Sequence, residues 1–76
     1  MGGFLFMINY QYNYAEIDPM DNMCVGVHTG TCESDDPNWV AIQVYDEEYI
    51  CKYYNWDNGK FYYDPEYTEE YISPLL

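Results

Sequence analysis

The sequence predicts a mainly β fold with a minor α component: a small antiparallel β-sheet or meander of four to five strands, closed by a short C-terminal helix. Three observations carry this expectation. Several short runs alternate apolar and polar residues with period two, the spacing of a half-buried strand. Asn58-Gly59 stands between two aromatic runs, and this dipeptide accepts the positive φ angles of a two-residue hairpin loop. Aromatic residues make up 21% of the chain, eleven of them Tyr, whereas disordered chains are poor in aromatics. The 76 residues suit a single domain over 1–76, with no room for a second core. Within it, 1–9 form an apolar N-terminal segment, 10–64 the sheet core and 65–76 an acidic helix or tail.

The strands follow from the alternation. Tyr10 to Asp18 is the first, with Tyr10, Tyr12 and Tyr14 alternating against Gln11 and Asn13. Asp18-Pro19-Met20-Asp21-Asn22 is a turn, because Pro presets φ and Asp and Asn bond their own backbone. Met23 to His28 is the second strand, placing Met23, Val25 and Val27 on one face and Cys24, Gly26 and His28 on the other. Thr29 to Asn38 is a polar connection. Trp39 to Tyr45 is the third strand; its Val40, Ile42 and Val44 form the most apolar face and nominate it for the sheet centre. Asp46 to Ile50 suits one helical turn capped by Asp46, with Glu47 and Glu48 near the positive end of its dipole.

Tyr53 to Asp64 then reads as a hairpin about Asn58-Gly59. A two-residue loop pairs Asp57 with Lys60, Trp56 with Phe61 and Tyr54 with Tyr63. Tyr54, Trp56, Phe61 and Tyr63 share one face, where aromatic cross-strand pairs contribute roughly 0.2–1 kcal/mol each. Asp64-Pro65 looks like an N-cap followed by proline at the first helical position. A short helix over 66–72 would bring Tyr67 and Tyr71 together, four residues apart.

Charge supplies the main functional clue. Fourteen Asp and Glu face two lysines, Lys52 and Lys60, for a formal net charge of −12. Self-repulsion at that charge opposes the compact state. Most carboxylates must therefore face water, a metal or a basic partner. Direct binding to nucleic acid or to an anionic membrane is disfavoured, since both require Lys and Arg. The bland reading is a solubilising surface. The sharper one is a decoy for the phosphate backbone, aimed at a basic protein groove. Tyr and Trp would anchor such an interface.

Catalysis has little to work with: one histidine, His28, no arginine, and no phosphate loop, nucleophile elbow or His-Glu-x-x-His pattern. Asp35-Asp36 and Glu47-Glu48 are adjacent carboxylates, but neighbours on a strand point to opposite faces. No enzyme activity, cofactor or metal is expected. Cys24, His28 and Cys32 are spaced by four, roughly 13 Å apart along a strand and too far for one tetrahedral zinc. Asp18, Asp21 and Asn22 lack the spacing and terminal Glu of a calcium loop. The odd number of cysteines points to free thiols in a reducing setting. Met1 to Ile8 is too short to span a bilayer, lacks the features of a signal peptide, and carries Phe6 where a myristoylation signal wants Ser or Thr.

The order of Tyr14-Ala15-Glu16-Ile17-Asp18, Asn22-Met23-Cys24-Val25-Gly26-Val27, Val40-Ala41-Ile42, Tyr45-Asp46, Lys52-Tyr53-Tyr54 and Asn58-Gly59-Lys60-Phe61 resembles a short β-module. That module occurs in proteins of phages infecting low-GC Gram-positive bacteria, often beside or within tail-fibre and tail-tip genes. The likeness covers roughly residues 12–64 and implies a small antiparallel sheet without catalytic residues. The chain departs from the module in its apolar start, its Asp35-Asp36 loop and its Tyr/Glu-rich end. Its composition is also similar to acidic anti-CRISPR proteins of such phages, which implies inhibition of a nucleic-acid-binding host defence protein in the host cytoplasm. The alternative is a virion component, a tail-associated sheet pairing with another phage protein or with itself as a homodimer. The candidate partner contacts are Glu33, Asp35, Asp36, Asp46, Glu47, Glu48, Asp64, Glu66, Glu69 and Glu70, with Tyr67 and Tyr71 as anchors.

Overall fold

Residues 12–76 are described by a computed structural model. Strands β1 (Tyr12–Asp18), β2 (Met23–Gly30), β3 (Trp39–Ile42), β4 (Tyr53–Asn55), β5 (Lys60–Tyr62) and β6 (Glu70–Tyr71) form one sheet in the order β3-β1-β2-β4-β5-β6. All its pairings are antiparallel. The mainly β expectation holds, with six strands where four to five were expected. Tyr10 and Gln11 of the predicted first strand, and the apolar segment 1–9, lie outside the described residues.

The turn between β1 and β2 forms as its residues predict. Asp18 Oδ1 accepts from the Met20 amide at 3.0 Å and Asp21 Oδ1 from the Met23 amide at 3.1 Å. Asn22 takes the left-handed φ of 63°. One detail of β2 departs from strict alternation. Glu16 pairs with Gly26, but the next residue, Ile17, pairs with Cys24, so Val25 is an extra residue in a bulge. A bulge reverses the faces beyond it. Cys24 therefore joins Val27 on the core side, fully buried, and Val25 is left exposed.

The predicted third strand is shorter than expected and sits elsewhere. It runs Trp39–Ile42 and is an outer strand, paired to β1 alone among the described residues. The centre belongs to β1 and β2, whose Ala15, Ile17 and Cys24 are the most buried side chains. Apolar content did not decide the strand order; the tight β1–β2 turn did, and β3 took the remaining edge of β1.

The one-turn helix is present as a 3-10 turn over Glu47–Tyr49. Asp46 is its cap and accepts from the Glu48 amide at 2.9 Å. The next hairpin forms with a different register: Tyr53 faces Tyr62, Tyr54 faces Phe61 and Asn55 faces Lys60. Its loop thus has four residues, not two. Among Asn58 and Gly59 only Gly59 has positive φ, 74°, so a type I′ turn is excluded. Asn55 Oδ1 accepts from the Asp57 amide and Asn58 Oδ1 from the Lys60 amide. Trp56 Nε1 donates to Asn22 Oδ1 at 2.9 Å. These bonds reward the wider loop and draw Trp56 away from the strand pairing.

The predicted C-terminal helix is absent, and β6 takes its place. Asp64 caps no helix: it accepts from the amides of Thr68 and Glu69, four and five residues on, and from the Thr68 hydroxyl at 2.7 Å, which closes a loop. Tyr67 adopts φ of 60°, which ends a right-handed helix at once. Its hydroxyl holds it there, donating to the Tyr54 carbonyl and accepting from Asn22. The tertiary contacts override the local helix signal.

The link from the helical turn to β4 contains a second strained residue. Cys24 donates to the Lys52 carbonyl while Cys51 donates to the Cys24 carbonyl, both at 2.8 Å. Cys51 is the extra residue, with φ of 76°, a place glycine usually takes in such a bulge. A left-handed L-residue costs roughly 1–2 kcal/mol. Glycine would relieve that but free the unfolded chain by about 0.4–1 kcal/mol. Cys51→Gly should therefore stabilise the protein by about 0.5–1 kcal/mol, read as a higher urea midpoint; a lower midpoint would contradict the strain.

Candidate functional site

The sheet curls, so that outer strand β3 and strands β5 and β6 face one another across a cleft. Ala41, Ile42 and Gln43 line one wall; Gly59, Lys60, Phe61, Glu70 and Tyr71 line the other. Tyr49, Ile72, Ser73 and Leu76 complete a space of about 310 Å³. Its floor is aromatic. Tyr49 packs on Phe61 with ring centroids 4.6 Å apart, and edge-on against Tyr71 at 5.3 Å.

A buried polar node fixes this floor. Asp46 is nearly inaccessible, and its Oδ2 accepts from the Tyr71 and Ser73 hydroxyls, each at 2.6 Å. Burial works against the carboxylate charge. The bonds from Ser73, Tyr71 and the Glu48 amide, with the positive field of Lys52, outweigh it and hold the carboxyl below its ordinary range. Burial and the nearby carboxylate push the Tyr71 hydroxyl up, so it stays a proton donor.

Of the predicted contacts, Asp46 and Tyr71 are thereby spent inside the protein. They are scaffold, a correction that follows from their burial and mutual bond. Asp64 and Tyr67 are half-buried and hold the 64–69 loop; the bonds from Thr68 above all keep the Asp64 carboxyl below its ordinary range. Asp36 is exposed but accepts from the Asn38 amide. Glu33, Asp35, Glu47, Glu48, Glu66, Glu69 and Glu70 are exposed. They lie on three separate segments: the β2–β3 connection, the 3-10 turn and the stretch entering β6.

Cations cannot neutralise them. Lys60 Nζ stands 4.0 Å from Glu70. Lys52 Nζ donates to the Glu48 carbonyl at 2.8 Å and lies over the Tyr71 and Tyr63 rings at 4.8 and 5.2 Å. The other contact of this kind among the described residues is His28 with Glu16, at 2.8 Å. Among the described residues, Glu33, Asp35, Asp36, Glu47, Glu48, Glu66 and Glu69 have no cation within ion-pair distance.

That His28–Glu16 pair belongs to a second cluster, on the sheet face away from the core. The His28 ring lies parallel to Trp39 with centroids 4.0 Å apart, and Tyr14 stands beside Trp39. Gly26 leaves the space: a Cβ there would come within 3.3 Å of His28 Nε2. The cysteine–histidine spacing leads to no shared site, because Cys24 faces the core while His28 lies on this other face. Among the described residues no group of three potential metal ligands gathers, and no helix is long and apolar enough to cross a membrane.

The sequence reading missed the aliphatic residues beside the cleft. Ile72, Leu75 and Leu76 are 65%, 61% and 62% exposed. An apolar run inside an otherwise acidic end was the available signal. Comparison with known protein families, curated proteins and solved structures finds no match.

Proposed function

We propose that this chain is a non-enzymatic binding protein whose unpaired carboxylates engage a basic protein surface. The partner that suits it best is a nucleic-acid-binding host defence protein, whose groove the chain would occupy in place of nucleic acid. On this reading it acts in the cytoplasm of a phage-infected bacterium, as anti-CRISPR proteins do. The observation that supports it is the imbalance at the surface: both lysines are engaged locally, and carboxylates on three segments face solvent without a cation among the described residues. Holding such charge on a small domain costs folding energy through self-repulsion, and a basic partner would recover it. Charge of this kind also accelerates and directs encounter.

Capture from a lysate of infected cells on the immobilised protein tests this reading. The expected result is a nucleic-acid-binding protein that elutes as salt is raised, since screening shortens the reach of surface charges to about 10 Å at 0.1 M. A partner that stays bound in high salt would overturn it.

A virion role is the second reading, favoured by the outer position of β3, whose far side has no strand partner among the described residues. Such an edge can pair with another phage protein or a second copy. Stoichiometric amounts in purified particles would support this role, and complete absence would remove it.

A further inference from the structure

We infer that Asn58 is a latent modification site: the hairpin loop locks its side-chain amide, and opening of the loop releases it for conversion into a carboxylate. The inference stands apart from the binding role proposed above. Asn58 precedes Gly59, whereas every other asparagine in the chain precedes Tyr, Met or Trp. Asparagine is a labile side chain, and its loss begins with attack by the backbone nitrogen of the next residue. A glycine there has no Cβ to obstruct the approach. The Gly59 nitrogen bonds to Asn58 Cγ as the Cγ–Nδ2 bond breaks, and the side-chain nitrogen leaves as ammonia, carrying the Gly59 proton. Water then opens the succinimide ring at either carbonyl. One opening gives aspartate; the other gives isoaspartate, whose main chain runs through Cβ and Cγ.

Three hydrogen bonds oppose the first step. The Gly59 amide, which must lose its proton to attack, donates to the Asn55 carbonyl at 2.8 Å. Asn58 Oδ1 accepts from the Lys60 amide at 2.9 Å, and Nδ2 donates to the Tyr62 hydroxyl at 2.9 Å. Both side-chain partners belong to β5, so the amide is tied at its two ends to the strand beyond Gly59. Burial plays no part, because Asn58 and Gly59 are exposed and water is at hand. The hydrogen bonds alone carry the protection, and they fail together when the four-residue loop opens. The product adds a negative charge beside Asp57 to a chain already at −12. A carboxylate also cannot donate to Tyr62 as the amide does, and isoaspartate inserts a main-chain carbon that the loop bonds do not fit. Conversion therefore marks chains whose hairpin has opened.

Incubation of the full chain at neutral pH, folded and in urea, tests the inference. The readout is the small mass increase from losing ammonia and gaining water, mapped to its residue by proteolysis. Conversion at Asn58 should be about tenfold slower in the folded chain, the scale of breaking one or two hydrogen bonds. Tyr62→Phe removes the hydroxyl that holds Nδ2 but keeps the ring, and an unchanged urea midpoint checks the fold. That variant should convert several-fold faster than the parent when folded, and at the parent's rate in urea. Equal rates for the folded and unfolded parent would overturn the lock, a result that needs no variant. A folded Tyr62→Phe chain converting no faster than the parent would remove the role given to the Nδ2 bond and the lock with it. Absence of conversion in urea, or faster conversion at another asparagine, would show that Asn58 is not a latent site.

Discussion

Replacing Asp46 with alanine is expected to destabilise the protein by about 3 kcal/mol, measured as loss of unfolding free energy in urea. Truncation leaves the Tyr71 and Ser73 hydroxyls buried without their acceptor and removes the cap on the Glu48 amide. Each buried unpaired group costs roughly 1–3 kcal/mol, and a lost cap about 1. The pH dependence follows from the same bonds. The folded carboxyl lies below its ordinary range, so its contribution is complete above the unfolded value of about 3.9. That contribution is lost as pH falls through the lower folded value. The alanine variant should accordingly lose less stability than the parent between about pH 4 and pH 2. Asp64, shifted the same way, leaves a residual acid response in both. A stability loss below about 1 kcal/mol would mean that water replaces the carboxylate and the node is not a support.

Phe61→Ala carries the other large effect, about 3–5 kcal/mol. Phe61 is buried in β5, with Tyr49 on one side at 4.6 Å and Tyr54 on the other at 4.9 Å. Its removal opens a cavity between rings that cannot collapse without breaking the β4–β5 and β5–β6 pairings. A domain of this length has roughly 4–11 kcal/mol of total stability, so the variant should populate the unfolded state or sit near its midpoint. Near-ultraviolet circular dichroism, dominated here by Tyr and Trp, reads the loss directly. Trp56→Ala is the contrast, because Trp56 is exposed on the hairpin loop. Equal losses from the two would mean that the hairpin, and not the Phe61 packing, carries the stability.

These contrasts mark where the sequence was legible and where it was not. Strand identity followed from period two, and the Asp18–Asn22 turn and the Asp46 cap followed from side chains that bond their own backbone. Local chemistry was sufficient there. Face and register were not local. The bulge at Val25 moved Cys24 into the core because Ile17 needed a buried partner across the strand. Trp56 left its predicted strand position for Asn22, thirty-four residues away in sequence. The helix after Asp64 yielded to Tyr67, pinned by Tyr54 and Asn22. The candidate site divided likewise. Unpaired carboxylates could be counted from composition, but Asp46 and Tyr71 looked like surface residues until their shared burial placed them under the cleft. The cleft itself joins strands from opposite ends of the sheet order, a juxtaposition that no single segment announces.

Displacement by nucleic acid probes the function most directly. With the captured partner bound to the immobilised chain, the partner's own DNA or RNA substrate should release it in proportion to occupancy, because on the proposed function acidic chain and phosphate backbone compete for one groove. Retention of the partner at saturating nucleic acid, in a ternary complex, would show that those side chains meet no phosphate-binding surface.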